Sequence, residues 1–254
     1  MSSRASDPRN DALSGRVVVV SPHLDDAVMS LGATMVQWVQ GGARVEVLTV
    51  FAYVPGSDAR AGPWDTRCGY RTEGQAANAR REEDRQACLI IGAEPRWLTY
   101  GAEPYERRAT PEQIWSAVVA ASNGADCVLL PGYPLSQPDH AELSELLLRK
   151  GLECPQVGLY AEQPYQFWQR NTPLASTTAT ALQHLIDSPL AWSRVATEPA
   201  HRHVKLRAVR AYRTQLRHLG LGFFGLRRMI WHEAAQGGEA IAWLPGEAAS
   251  NTSG

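Results

Sequence analysis

The chain has 254 residues, is 44% hydrophobic and 20% charged, and carries a formal net charge of −1. This composition excludes a wholly disordered chain, and the length lets one α/β domain bury roughly 70–75% of its unfolded surface without a disulfide or metal staple. The balance of 25 basic against 26 acidic residues excludes a global basic field, so nucleic acid is not an expected partner.

Residues 1–15 are polar and are expected as a flexible lead-in. RVVVV (16–20) is a short β-branched run of the kind buried on both faces of a parallel sheet. It runs through SPHLDD into a helical pattern carried by Val28, Leu31, Met35, Trp38 and Val39 and stopped at Gly41-Gly42. ARVEVLTVFAY (43–53) is the next strand, which completes a βαβ unit. The segment 54–79 shows no periodicity and is read as a functional loop or an ordinary mobile one. A helix follows from about Arg80 to Ile91, closed by Gly92, then a strand RWLTY (96–100). TPEQIWSAVVAASNGA (110–125) opens with a Thr110/Gln113 capping box and Pro111. DCVLLPGYP (126–134) is a second apolar strand, a helix is expected from an Asp139 cap, and 155–165 reads as a fifth strand. A helix is expected around 201–218 and a flexible tail at 237–254. Strands alternating with helices predict a single doubly wound, Rossmann-like α/β domain over 16–236, with a mostly parallel sheet and helices on both faces. The four cysteines have no CxxC spacing and are expected as reduced thiols. No apolar run reaches the ~18 residues of a membrane helix and no signal-peptide core is visible, so a cytoplasmic location is expected. The oligomeric state is left open.

In open parallel sheets, ligands bind beyond the carboxyl ends of the strands. Two such ends carry metal-type residues: Pro22-His23-Leu24-Asp25-Asp26 and Gln137-Pro138-Asp139-His140. His23 and Asp26 are three apart across a strand-to-helix turn and can face one spot, and His140 arrives from the second loop. Adjacent carboxylates repel in a poorly hydrated cleft, and a divalent cation removes that cost. Two imidazoles and a carboxylate suit zinc, and three protein ligands plus water describe a catalytic site. The alternative is that Asp25 or Asp26 only caps the following helix. No G-x-G-x-x-G follows the first strand and no G-x-S-x-G is present, which argues against a nucleotide-binding Rossmann protein and a serine hydrolase.

At these residues the sequence resembles the PIG-L/LmbE-like family of zinc-dependent N-deacetylases. The resemblance spans roughly 16–218 and rests on PHLDD (22–26), PDH (138–140), the helix with Arg80, Glu83, Ala87 and Ile91-Gly92, and the late helix with Lys205, Ala208, Tyr212 and Gln215. It implies Zn2+ held by His23, Asp26 and His140, Asp25 as general base, and Arg80 as a substrate-binding residue. The alternative for Arg80 is a surface ion pair with Glu83 or Asp84. The family's usual His before Pro-Asp-His is Gln137 here, which can donate a hydrogen bond to an oxyanion but cannot release a proton at neutral pH. His201, His203, His218 or His232 is the alternative proton source. The HLDDA form is closer to the branch acting on antibiotic-linked amino sugars. The expected activity is removal of an N-acetyl or N-acyl group from an amino sugar or glycoconjugate. The alternatives are an amidase resembling mycothiol S-conjugate amidase and a zinc-binding module without catalysis. Trp64, Tyr70, Arg60, Arg67 and Arg71 in the loop 54–79 are expected to meet a sugar, and Phe223 and Phe224 to form an apolar wall or pack in the core.

Overall fold

The computed structural model describes residues 13–102, 105, 109–169, 182–186 and 190–245. Its strands are β1 (Arg16–Ser21), β2 (Arg44–Thr49), β3 (Glu94–Trp97), β4 (Cys127–Tyr133), β5 (Gln156–Ala161), β6 (Trp192–Val195) and β7 (Glu239–Trp243). Its helices are α1 (Asp26–Gln40), α2 (Pro63–Arg67), α3 (Glu73–Ile91), α4 (Pro111–Ser122), α5 (Pro138–Lys150), α6 (Tyr165–Trp168), α7 (Pro199–Val209), α8 (Arg213–His218) and α9 (Phe223–Ala235). The strands form one seven-stranded sheet in the order β3-β2-β1-β4-β5-β7-β6. β1 to β5 are parallel, and β7 runs antiparallel to both β5 and β6.

The period-2 pleat explains how RVVVV serves two cores at once. Val17 and Val19 pack with α1, α3, α7 and α9 on one face. Val18 and Val20 pack with Ile114 and Val118 of α4 and Leu143 and Leu147 of α5 on the other. The chain leaves β1 toward β2 and β3 and returns to lay β4 on β1's other side, so the strand order reverses between β1 and β4. That crevice is where a doubly wound sheet binds its ligand, and both motif loops open onto it.

Three expectations are corrected. The tail assigned to 237–254 contains β7, whose residues are all buried between β5 and β6. EAIAW is too short for a periodicity signal, and its Glu239 is buried because Lys205 Nζ lies 2.5 Å from it and two amides of α1 donate to it. The helix expected over 201–218 is two helices, because Tyr212 (φ −77°, ψ 59°) turns inward to donate its buried hydroxyl to Asp84 at 2.6 Å. The segment 54–79 is not structureless: it holds α2 and the first turns of α3. Thr72 caps α3, accepting from Gln75 N at 3.2 Å, a signal already present in the sequence.

Helix α1 is broken at Leu31 (φ −121°, ψ 15°). The amides that follow the break are satisfied from outside: the Glu239 carboxylate accepts from Ala33 N at 3.1 Å and Thr34 N at 2.8 Å. Lys205, fully buried, pairs with Glu239 and with Glu233 at 2.7 Å and reaches the carbonyl of Ser30 at 3.5 Å. A buried charge is tolerated only when paired and hydrogen-bonded, and this lysine has both.

Candidate metal centre and cleft

The turn after β1 is built by its own polar groups. Ser21 Oγ donates to His23 O at 2.6 Å and accepts from Ala27 N at 3.0 Å. Asp26 Oδ2 accepts from His23 N at 2.8 Å, which folds the turn back on itself. Neither acidic side chain serves as the cap of α1: Asp25 occupies the cap position and makes no capping bond.

His23 Nδ1, His140 Nε2 and Asp26 Oδ2 converge. The two nitrogens are 3.0 Å apart, and the oxygen lies 3.4 Å from the first and 3.3 Å from the second. A tetrahedral ion with bonds of about 2.0–2.1 Å sets its ligands about 3.3 Å apart, so this triangle fits one face of such a shell. The far ring nitrogens are fixed by carboxylates. His23 Nε2 meets Asp139 Oδ2 at 2.8 Å, and His140 Nδ1 meets the buried Glu162, which also accepts from Leu135 N at 2.8 Å. When those outer nitrogens carry hydrogen, the inner two present lone pairs to each other. A proton or a metal ion between them relieves that repulsion, and carboxylate partners of this kind orient metal-binding imidazoles.

The electrostatics point the same way. Burial and the neighbouring Asp26 push Asp25 up to about 7. Burial also pushes Asp26 up, but His140 and His23 overcome it and hold Asp26 at about 2. Burial disfavours charge on both imidazoles, yet Asp139 and Asp26 raise His23, and Asp26 and Glu162 raise His140. The cluster attracts positive charge.

The site opens into a cleft of about 430 Å3 lined by His23, Asp25, Asp26, Arg80, Gln137 and Tyr165, together with Trp64, Asp65 and Tyr105. Asp25 faces this space with no hydrogen bond from its carboxylate to any described residue. Arg80, 4% exposed, is paired with Asp65 and lies 5.5 Å from the Tyr53 ring. The surface pair of Arg80 with Glu83 or Asp84 does not form. Glu83 accepts from Thr214 Oγ1 at 2.7 Å, and Asp84 accepts from Trp97 Nε1 at 2.7 Å and from Tyr212. Gln137 is the cap residue of α5 and sends its amide to Tyr165 Oη at 3.3 Å instead of to the helix. Asp139, expected as that cap, supports His23.

Other expected residues fall elsewhere. His201 is buried against Gln40, with Nε2 2.9 Å from Oε1, His203 bonds Pro199 O, and the His232 ring packs on Phe167. None lines the cleft, and the side chain of His218 lies outside the described residues. Of the loop's aromatic and basic residues, only Trp64 lines the cleft, whereas Tyr70, Arg60, Arg67 and Arg71 do not. Phe223 and Phe224 are neither core nor cleft wall: they are 44% and 83% exposed. Asp65, Tyr105 and Glu162 were not singled out from the sequence. Glu162 alone had a signal, an acidic residue just past the end of a buried strand at the same sheet edge.

No curated protein sequence matches the chain. Solved structures do. A deacetylase triple mutant of the teicoplanin biosynthetic pathway is 24% identical, with a TM-score of 0.73 over 92% of this chain and 100% of its own. A deacetylase of the A40926 pseudoaglycone is 26% identical, with a TM-score of 0.71 over 90% and 96%. The N,N'-diacetylchitobiose deacetylase from Pyrococcus horikoshii is 16% identical, with a TM-score of 0.58 over 90% and 82%. The GlcNAc-PI de-N-acetylase family, PIG-L, matches residues 18–149, just over half the chain and including both motif loops. The chain therefore belongs to the PIG-L family, whose members are enzymes acting on N-acetyl amide bonds.

Proposed function

We propose that this chain is a zinc-dependent N-deacetylase that removes an acetyl or longer acyl group from an amino sugar within an antibiotic or secondary-metabolite glycoconjugate, releasing a free amine and a carboxylate. One observation carries the reading: a carboxylate with no hydrogen-bond partner among the described residues, Asp25, stands beside a His23–Asp26–His140 triangle of zinc-like dimensions. A zinc ion held by those three residues would supply a Lewis acid for the amide carbonyl and an acidified water at neutral pH. Asp25 takes the proton as water attacks the acyl carbon, a role its raised pKa matches. With no imidazole at 137, Asp25 returns that proton to the departing nitrogen. Gln137, whose amide keeps one hydrogen beyond its bond to Tyr165, donates to the tetrahedral oxyanion. Arg80, locked on Asp65 at the cleft wall, binds the sugar's hydroxyls.

The antibiotic context is supported by the deacetylases of teicoplanin and of the A40926 pseudoaglycone among the similar structures, one of which is a zinc-inhibited form. The unused Asp25 carboxylate weighs against a zinc module without catalysis, since metal binding alone has no need of it. The test is mass spectrometry of metal-loaded protein with N-acetylglucosamine, N,N'-diacetylchitobiose and N-acylated glycopeptides. Loss of the acyl mass from at least one class is expected. Loss from none, with metal bound, overturns the proposal.

A further inference from the structure

The 37 residues 199–235 hold eight of the chain's 25 lysines and arginines but one of its 26 acidic residues, Glu233. Lys205 and Glu233 neutralise each other in the interior, so seven arginines remain, six on α7, α8 and α9 and Arg210 at the end of α7, in a chain whose net charge is −1. α9 buries Leu226, Met229, Ile230 and Glu233. Its opposite face, at helical spacing, carries Phe224, Arg227, Arg228 and Trp231. Phe224 is 83% exposed and Trp231 is 77% exposed, whereas an ordinary solvated stripe is polar. At the start of α9 the Phe223 ring lies between guanidinium groups, 5.3 Å from Arg210 and 5.6 Å from Arg227.

We propose that this face of α9 docks on an anionic phospholipid surface, with Phe224 and Trp231 entering the headgroup layer and Arg227, Arg228 and Arg210 binding lipid phosphates. Guanidinium groups match phosphate oxygens two at a time, and aromatic side chains favour the membrane interface. Thirteen residues interrupted by charge lie on a bilayer and do not span it. Nucleic acid is the lesser match, because a phenylalanine and a tryptophan standing clear on a convex helix gain more from lipid than from a phosphate backbone.

The docking face follows the cleft wall closely in the chain. Gln215 and Leu219 line the cleft, and Phe223 follows four residues on. α6 packs on α9 through Phe167 and His232, and places Tyr165 in the cleft and Trp168, 46% exposed, outside it. Docking would set the cleft mouth close to the lipid surface. The site stands on its own observations, whatever reaction the cleft performs.

The test is co-sedimentation of the full chain with vesicles of phosphatidylcholine alone and of phosphatidylcholine with phosphatidylglycerol. The protein is expected to bind the anionic vesicles, to shift its tryptophan emission to the blue on binding, and to be released by salt. Removing one arginine, as in R227Q or R228Q, lowers the partition coefficient about fivefold. The exposed double substitution Phe224→Ser with Trp231→Ser abolishes the emission shift and leaves the thermal midpoint unchanged. Equal partitioning onto both vesicle types, or onto neither, overturns the proposal. So does a concentration-dependent dimer that the double substitution abolishes, since the face would then belong to a second copy. Tighter binding of duplex DNA than of anionic vesicles also overturns it.

Discussion

Nδ1 of His23 and Nε2 of His140 point at each other across 3.0 Å, each ring held from behind by its own carboxylate. The carboxylates decide which nitrogens are left to bind an ion, so their removal should weaken metal binding without deleting a ligand. Asp139→Asn and Glu162→Gln are each expected to lower zinc affinity by about 10- to 100-fold. Calorimetry or competition with a chromogenic chelator reads this directly. Unchanged affinity in both variants would detach the outer carboxylates from metal binding.

Asp25 has a different signature. Asp25→Ala should retain zinc at the stoichiometry of the unmodified protein and lose on the order of 10²–10⁴ in kcat. Full activity in that variant would remove Asp25 from the chemistry.

The same residue sets a pH dependence. Burial and Asp26 push Asp25 up to about 7, and a divalent ion beside it favours the carboxylate and draws that value down. A base must be ionised, so kcat/KM is expected to rise with pH along an acidic limb whose midpoint lies below 7 in the zinc-loaded enzyme. A limb at or above 7 would show that another group titrates.

Gln137 tests how the missing imidazole is met. Gln137→Ala should lower kcat on the order of 10²-fold by removing an oxyanion donor, with KM little changed. Gln137→His should raise kcat, because it relieves Asp25 of its second proton transfer. A kcat equal to that of the unmodified protein would show that protonation of the amine is not limiting.

Far from the cleft, Glu46 is 1% exposed and receives Arg16 at 2.8 and 2.9 Å and Arg96 at 3.0 Å. The Arg16 hydrogen bond leads in holding its carboxyl down at about 2, well below the ordinary glutamate value of 4.5. Its contribution to stability is therefore complete above pH ~4.5 and is lost as pH falls toward ~2. Glu46→Gln is expected to destabilise by about 2 kcal/mol near neutral pH, below the usual cost of breaking a buried pair because the arginines are partly solvated. That difference should shrink on acidification, as chemical denaturation across pH would show.

What the sequence made legible is what repeats or clusters locally. RVVVV, the Gly stops after α1 and α3 and the Thr110 capping box each state their element within a few residues. His23, Asp26 and His140 were legible because each lies in the turn or first helical turn that follows a buried strand, where a doubly wound sheet gathers its chemistry. Glu162 and Asp65 were not, because their roles exist only once strand ends and loops distant in sequence meet. β7 was hidden for a similar reason: five residues carry no period, and a glutamate inside a strand reads as solvent-facing until a buried lysine from α7 is placed against it. The break between α7 and α8 follows from one long-range contact, Tyr212 on Asp84, that no local pattern announces.

The carboxylate of Glu239 completes the interrupted middle of α1, 206 residues earlier in the chain. The helix that presents Asp26 therefore reaches its finished shape only after one of the last strands has been inserted. On the ribosome, the loop bearing His23 emerges more than 200 residues ahead of Glu239. Contacts so remote in sequence delay folding, and shortening the protein from its carboxyl end past β7 should undo the proposed metal centre while leaving His23, Asp26 and His140 in the chain.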